Sequence, residues 1–260
     1  MKRKSPANKG AVRPGPYANG PGRYAYTAYR NKRPAPVRAA YTAAERHMIE
    51  GHIDRWFGPI GQISPEIAGN GPAIDLCICP PTETRPYYVL CTLGMGANPM
   101  NVPLAQAADT PCRAELLMTL PPDWKVFDNN ERWYWPLRWL RTFARMPYMQ
   151  QGWLAYGHTV SVSTDDEPFV PETRQNSVIV LGPQDVSPSA ARCLLPDDQI
   201  VSFYQLIPLY PEELAFKQAY GVDALLDRMP HVDHIVCPNR LNTCAADLLT
   251  PSRAPNPFLC

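Results

Sequence analysis

Proline is the residue that most limits what this chain can fold into. Of its 260 residues 31 are Pro, more than twice an ordinary usage of about 5%. Each pyrrolidine ring removes a backbone donor and fixes φ, so it interrupts helix interiors and central strands alike. The prolines fall throughout the chain. That spacing excludes a helical bundle and calls for short elements joined by turns and long connections. With 45% hydrophobic residues, such elements can still bury a large core.

Charge divides the chain in two. Residues 1–40 hold ten Lys/Arg and no Asp/Glu. Of the 25 basic and 24 acidic residues overall, 15 and 24 then remain for residues 41–260, a net charge of −9. The first segment also has six Pro, four Gly and four Tyr, and no apolar periodicity, so it cannot offset the entropy of ordering. Residues 1–40 are expected to be a disordered basic arm. Tyr17, Tyr24, Tyr26 and Tyr29 lie among Lys2, Arg3, Lys4, Arg23, Arg30, Lys32 and Arg33. Stacking and phosphate contacts from such a set suit weak binding of single-stranded nucleic acid; an acidic partner or an anionic membrane surface would also fit, and a solvated tail is the plainest reading. No run approaches the ~20 apolar residues of a membrane span, and no apolar segment follows Met1-Lys2-Arg3-Lys4 as a leader requires. The expectation is a cytoplasmic chain whose eight cysteines are thiols.

The body begins at Tyr41. Thr42 and Glu45 have capping-box spacing, and Met48, Ile49, Ile53, Trp56 and Phe57 recur at helical intervals until Gly58-Pro59, which predicts a helix over 42–57. Ile60–Ala68 is a weak strand candidate. Residues 74–79 alternate, with Ile74, Leu76 and Ile78 on one face and Asp75, Cys77 and Cys79 on the other. Residues 87–93 and 113–120 read as further strands, and 157–163, 177–182 and 200–209 follow. A helix is expected over 136–146, opened by Pro136 and closed by Pro147. Pro211-Glu212-Glu213 starts another, and a short one carries Ala224, Leu225 and Leu226. Beyond Pro238 periodicity is lost, which predicts a loose tail over 238–260. The order gives one α+β (mixed α/β) domain over 41–237, with a largely antiparallel or mixed sheet packed by helices.

Catalytic and metal constellations are thin. Cys77-x-Cys79 with Cys91 and Cys112 offers four thiols, but structural zinc draws on tight C-x₂₋₄-C knuckles that are missing here. His231, His234, Cys237 and Cys244 form a looser set. Asp75 and Glu115 could pair as metal-binding carboxylates, yet Leu117 stands where a Glu-x-Lys pattern needs lysine. His158 has Asp165 and Asp166 nearby in sequence but no nucleophile elbow, and no phosphate loop exists. We therefore expect no cofactor, no metal and no enzyme. Trp153, Tyr156 and His158, at a polar-aromatic strand entry beside the long 164–176 connection, are instead the expected contacts for a partner protein.

Several segments in order carry a resemblance. They are Thr92-Leu93-Gly94-Met95; Glu115-Leu116-Leu117-Met118-Thr119-Leu120-Pro121 leading to Trp124; and Tyr134-Trp135-Pro136-Leu137 through Ala144-Arg145-Met146-Pro147. Gly157-His158-Thr159-Val160, Leu206-Ile207-Pro208-Leu209-Tyr210 and Gly221-Val222-Asp223-Ala224-Leu225-Leu226 complete the set. Over residues 41–237 the chain resembles the suppressor-of-fused domain, its bacterial members in particular. The resemblance implies a mixed α/β domain that binds proteins without catalysis. Animal members sequester a transcription factor by clamping an extended peptide between two domains, for which this chain is too short. Bacterial members are proposed immunity proteins that neutralise a toxin.

Overall fold

The structure is a computed structural model that describes residues 38–66, 72–107, 110–162, 167–196, 198–229 and 234–245. The arm cations from Lys2 to Arg33, the pair Asp165 and Asp166, and His231 lie outside the described residues.

Among the described residues, eight strands form one sheet: β1 (Gln62–Ser64), β2 (Asp75–Cys79), β3 (Tyr88–Leu93), β4 (Arg113–Leu120), β5 (Thr159–Ser161), β6 (Ser177–Leu181), β7 (Arg192–Leu194) and β8 (Ile200–Leu209). Their spatial order is β1-β2-β3-β4-β8-β6-β5, with β7 paired to β8. Pairing is antiparallel except between β4 and β8, which run parallel. The fold is thus α+β with a mixed sheet. β1 is shorter than the Ile60–Ala68 reading, and β7, three residues of which only Cys193 is buried, carries too little pattern to be seen in the sequence.

The alternation read from residues 74–79 sorts the sheet faces. Leu76, Ile78, Leu116, Met118 and Leu206 pack with Trp135, Leu140 and Phe143 of helix α2 (Glu131–Met149). The opposite face places Cys77, Cys79, Val89, Cys91 and Phe203 under Ile49 and Ile53 of helix α1 (Ala43–Trp56). Further along that face, Ile179, Leu181, Ile207 and Leu209 meet Leu225 and Met229, where α3 (Pro211–Tyr220) and α4 (Val222–Arg228) lie. The result is a helix–sheet–helix sandwich.

Helix α1 starts as its sequence dictates: Thr42 Oγ1 accepts the Glu45 N–H at 3.2 Å and Glu45 Oε2 accepts the Thr42 N–H at 2.7 Å. Helix α2 departs from expectation. It begins at Glu131, where Asn130 caps the Arg132 N–H, and passes through both Pro136 and Pro147. An interior proline costs about 3 kcal/mol. Burial of Trp135, Leu140 and Phe143 against the sheet returns about 1.5–3 kcal/mol each, so tertiary packing overrides the two local breakers.

The chain also stays fastened past Pro238. The Val236 N–H donates to Thr119 O at 2.9 Å, Gln175 Nε2 to Cys237 O at 3.1 Å and Thr173 Oγ1 to Pro238 O at 2.7 Å. Arg240 then pairs with Glu213. These are polar attachments of an irregular strap. They have no hydrophobic period, so the sequence signalled a loose tail there.

Candidate functional site

The connection from α2 to β5 carries the expected contact residues Trp153, Tyr156 and His158. Helix α2 ends at Met149, and Gln151 turns the chain with φ 52. Gly152 N–H donates back to Pro147 O at 2.9 Å. A neighbouring loop braces this turn: the Asn101 N–H donates to Gly152 O at 3.0 Å and Asn101 Nδ2 to Gln151 O at 2.9 Å. Gly157, at φ +79, swings the chain onto β6, where its N–H donates to Val180 O at 2.8 Å. A Cβ there would sit 3.5 Å from Val222, so the loop lies against the start of α4.

Trp153 and His158 make contact, with ring centroids 5.5 Å apart in an edge-on arrangement. Burial pushes the His158 imidazole down to about 4, the buried cation Lys217 adds to that shift, and a hydrogen bond with the Trp153 backbone opposes it. His158 is therefore neutral at physiological pH and acts as a wedge under Trp153. Tyr156 does not join them; it stands out in solvent with 53% of its surface exposed. Met149, the last residue of α2, is 78% exposed and Tyr220, the last residue of α3, 68%. Neither was singled out in the sequence, where Pro147 was expected to close the helix before Met149. The connection leads into β5, an end strand of the sheet with β6 as its strand neighbour.

The other constellations separate. Asp75 lies on β2 and pairs with Arg46 Nη1 at 2.9 Å. Glu115 lies on β4, with β3 between them. Glu115 is fully buried and accepts from Tyr41 OH at 2.7 Å, Thr92 Oγ1 at 2.5 Å, and the Gly94 and Gly96 N–H groups at 3.0 and 2.9 Å. Burial raises its pKa against those donors. It staples the loop after β3, where Gly94 adopts φ +134 and a Cβ would lie 2.2 Å from Ala73 O. Cys77, Cys79 and Cys91 are buried under α1, and desolvation raises their thiols, Cys79 to about 12. Cys112 is exposed and apart from them. His234 packs edge-on to Tyr87 at 5.2 Å. Among the described residues no three metal-capable side chains converge, and no helix is long and apolar enough to cross a membrane.

These elements define a mixed sheet sandwiched by helices. The family model for suppressor of fused protein (SUFU) matches residues 70–240, and the chain belongs to that family. A relative from Ureaplasma parvum serovar 3, the uncharacterized protein UU111, is 27% identical over 192 residues, which is 71% of this chain and 88% of the relative. The crystal structure of a SUFU homologue from Neisseria gonorrhoeae aligns with TM-score 0.51 at 17% identity, covering 76% of this chain and 96% of the homologue. A chain of the Sufu–Fu complex aligns with TM-score 0.54 at 13% identity, covering 77% of this chain and 92% of that one.

Proposed function

We propose that this chain is a non-enzymatic protein-binding module that captures a partner protein at the rim formed by Trp153, Tyr156 and His158, and so sequesters or neutralises it. One observation carries the reading: Met149 and Tyr156 expose large apolar surface at the two ends of the connection into β5, an end strand of the sheet, and Asn101 and Val180 brace that connection. Exposed aromatic and Met side chains on a rigid support are the composition of binding hot spots. The Sufu–Fu complex supports this reading, since a chain of this fold occurs there in a protein assembly. A neutralising role of the immunity type, in the cytoplasm, fits a chain with bacterial relatives.

The test compares the tagged wild-type chain with a Tyr156→Ala, Met149→Ala variant in pull-downs from native lysate. A single partner recovered at one-to-one stoichiometry by the wild type and lost by the variant, at equal melting temperature, supports the rim. Equal recovery of that partner by both sinks it.

A further inference from the structure

We infer that the open edge of β7 is a second docking surface, which takes an extended segment of a partner protein carrying an apolar and an acidic residue two positions apart. The inference is independent of the surface proposed around Trp153, Tyr156 and His158.

Hydrogen-bond parity fixes which way the β7 backbone faces. β7 pairs with β8 in the register Arg192↔Ser202, Cys193↔Val201 and Leu194↔Ile200. One step beyond, the Leu195 N–H donates to Gln199 O at 2.8 Å, so Leu195 and Gln199 are a hydrogen-bonded pair. Such pairs alternate with non-bonded ones along an antiparallel ladder. Cys193 and Val201 are therefore the next bonded pair. The N–H and C=O groups of Arg192 and Leu194 then point away from β8. Among the described residues no strand lies on that side, since β7 pairs with β8 alone. Of the described residues only the Cys193 thiol donates toward these groups, to Leu194 O at 3.9 Å.

The same edge carries an uncovered apolar pair. Leu194 and Ile200 are direct cross-strand partners, so their side chains lie side by side on one face. They are 54% and 41% exposed. Arg192 is two residues from Leu194 and shares its face. It is exposed and forms no salt bridge among the described residues. Cys193 points the other way, into the core under α1.

These groups state the chemistry of the occupant. A row of backbone donors and acceptors is matched by another extended backbone. Laid along β7, an incoming strand sets one residue opposite Leu194 and the residue two positions away opposite Arg192, with both side chains on the Leu194–Ile200 face. An apolar side chain at the first position covers Leu194 and Ile200. A carboxylate at the second meets the Arg192 guanidinium. Asp198, exposed in the turn between β7 and β8, repels a carboxylate at the other end, so the two positions are not interchangeable. A second copy of this chain is a poor occupant, because its β7 brings another arginine and no acidic residue.

The test uses the full isotope-labelled chain and amide NMR. The probe is the end-capped peptide Gly-Thr-Val-Thr-Glu-Thr-Gly. One control carries Lys in place of Glu. A second control has the probe sequence with methyl groups on the Val and Glu backbone nitrogens. The variants are Arg192→Glu and Leu194→Lys, both at exposed positions, and both should melt with the wild type. The expected result is that the probe shifts the amides of Arg192, Leu194 and Ile200, while the methylated peptide, its edge donors blocked, does not bind. Arg192→Glu should bind the probe about fivefold more weakly at low salt, and should bind the Lys peptide more tightly than the wild type does. Leu194→Lys should bind the probe about tenfold more weakly, because a charge then stands in the apolar pair.

Equal binding of the methylated peptide, or amide shifts that leave residues 192–194 untouched, would overturn the edge pairing. Equal affinity of the wild type and Arg192→Glu for both the Glu and Lys peptides would remove the acidic partner. Probe binding lost in Tyr156→Ala with Met149→Ala and kept in Leu194→Lys would move the probe off β7 and overturn the inference while leaving the other surface standing. A wild type that sediments as a dimer, with Leu194→Lys a monomer, would assign the edge to a second copy and overturn it too. Failure of the wild type to bind the probe at millimolar concentration overturns it outright.

Discussion

Replacing Arg240 with Met tests whether the chain beyond Pro238 belongs to the folded body. Glu213 is fully buried and Arg240 nearly so. Glu213 takes Arg240 Nη1 at 2.7 Å, the Thr243 N–H and Oγ1 at 3.1 and 3.0 Å, and the Tyr210 N–H at 3.0 Å. Arg240 also donates from Nη2 to Pro208 O at 2.8 Å and stacks over Tyr210 at 5.0 Å. Met keeps the apolar stem and removes the charge. Removing one member of a buried ion pair costs about 3–5 kcal/mol. The lower end applies here, because three donors from Thr243 and Tyr210 remain on the carboxylate. For a domain of this size about 3 kcal/mol lowers Tm by about 6–12 °C. Thermal unfolding followed by circular dichroism measures the loss. Glu213→Gln alone should also destabilise, and the double variant should lose less than the two single losses combined. A Tm within 1 °C of wild type for Arg240→Met would refute the reasoning and return these residues to a loose tail.

Three further outcomes follow from local geometry. Gly94→Ala should destabilise by more than about 3 kcal/mol, because the methyl meets Ala73 O at 2.2 Å in a positive-φ backbone; soluble expression with a near-normal urea midpoint would contradict this. His158 has a folded pKa of about 4, below its ordinary value. The unfolded chain then takes up a proton first as pH falls, so stability present above about pH 6.5 is lost progressively toward pH 4. His158→Leu should remove that part of the Tm–pH slope, and an unchanged slope would show that His158 is not the group involved. Thiol labelling of the native protein should reach the exposed Cys112 rapidly and leave Cys77, Cys79 and Cys91 unlabelled; rapid mass-detected modification of those three would contradict their burial under α1.

Tyr41, Glu115, Asn98 and Tyr148 link the start of the body, the centre of the sheet and the end of α2 in one hydrogen-bonded web. Its members come from four separate stretches of chain, and only Glu115 stood out in its own neighbourhood.

The amino-acid sequence by itself determined the elements whose causes are local. The Thr42–Glu45 box started α1, and strict alternation set both faces of β2. The ordered motifs from Thr92 to Leu226 placed the chain in the suppressor-of-fused family. The contact of Trp153 with His158 lies within six residues of chain. Only the tertiary structure decided the rest. Helix α2 runs through two prolines because Trp135, Leu140 and Phe143 gain a sheet to pack on. Glu115 is a staple and not half of a metal site because β3 separates it from Asp75. The strap at 236–243 is ordered by side chains that meet Glu213, Thr119 and Gln175 across the fold. In each case the deciding energy comes from contacts between residues far apart in the chain, and periodicity and propensity report only on neighbours.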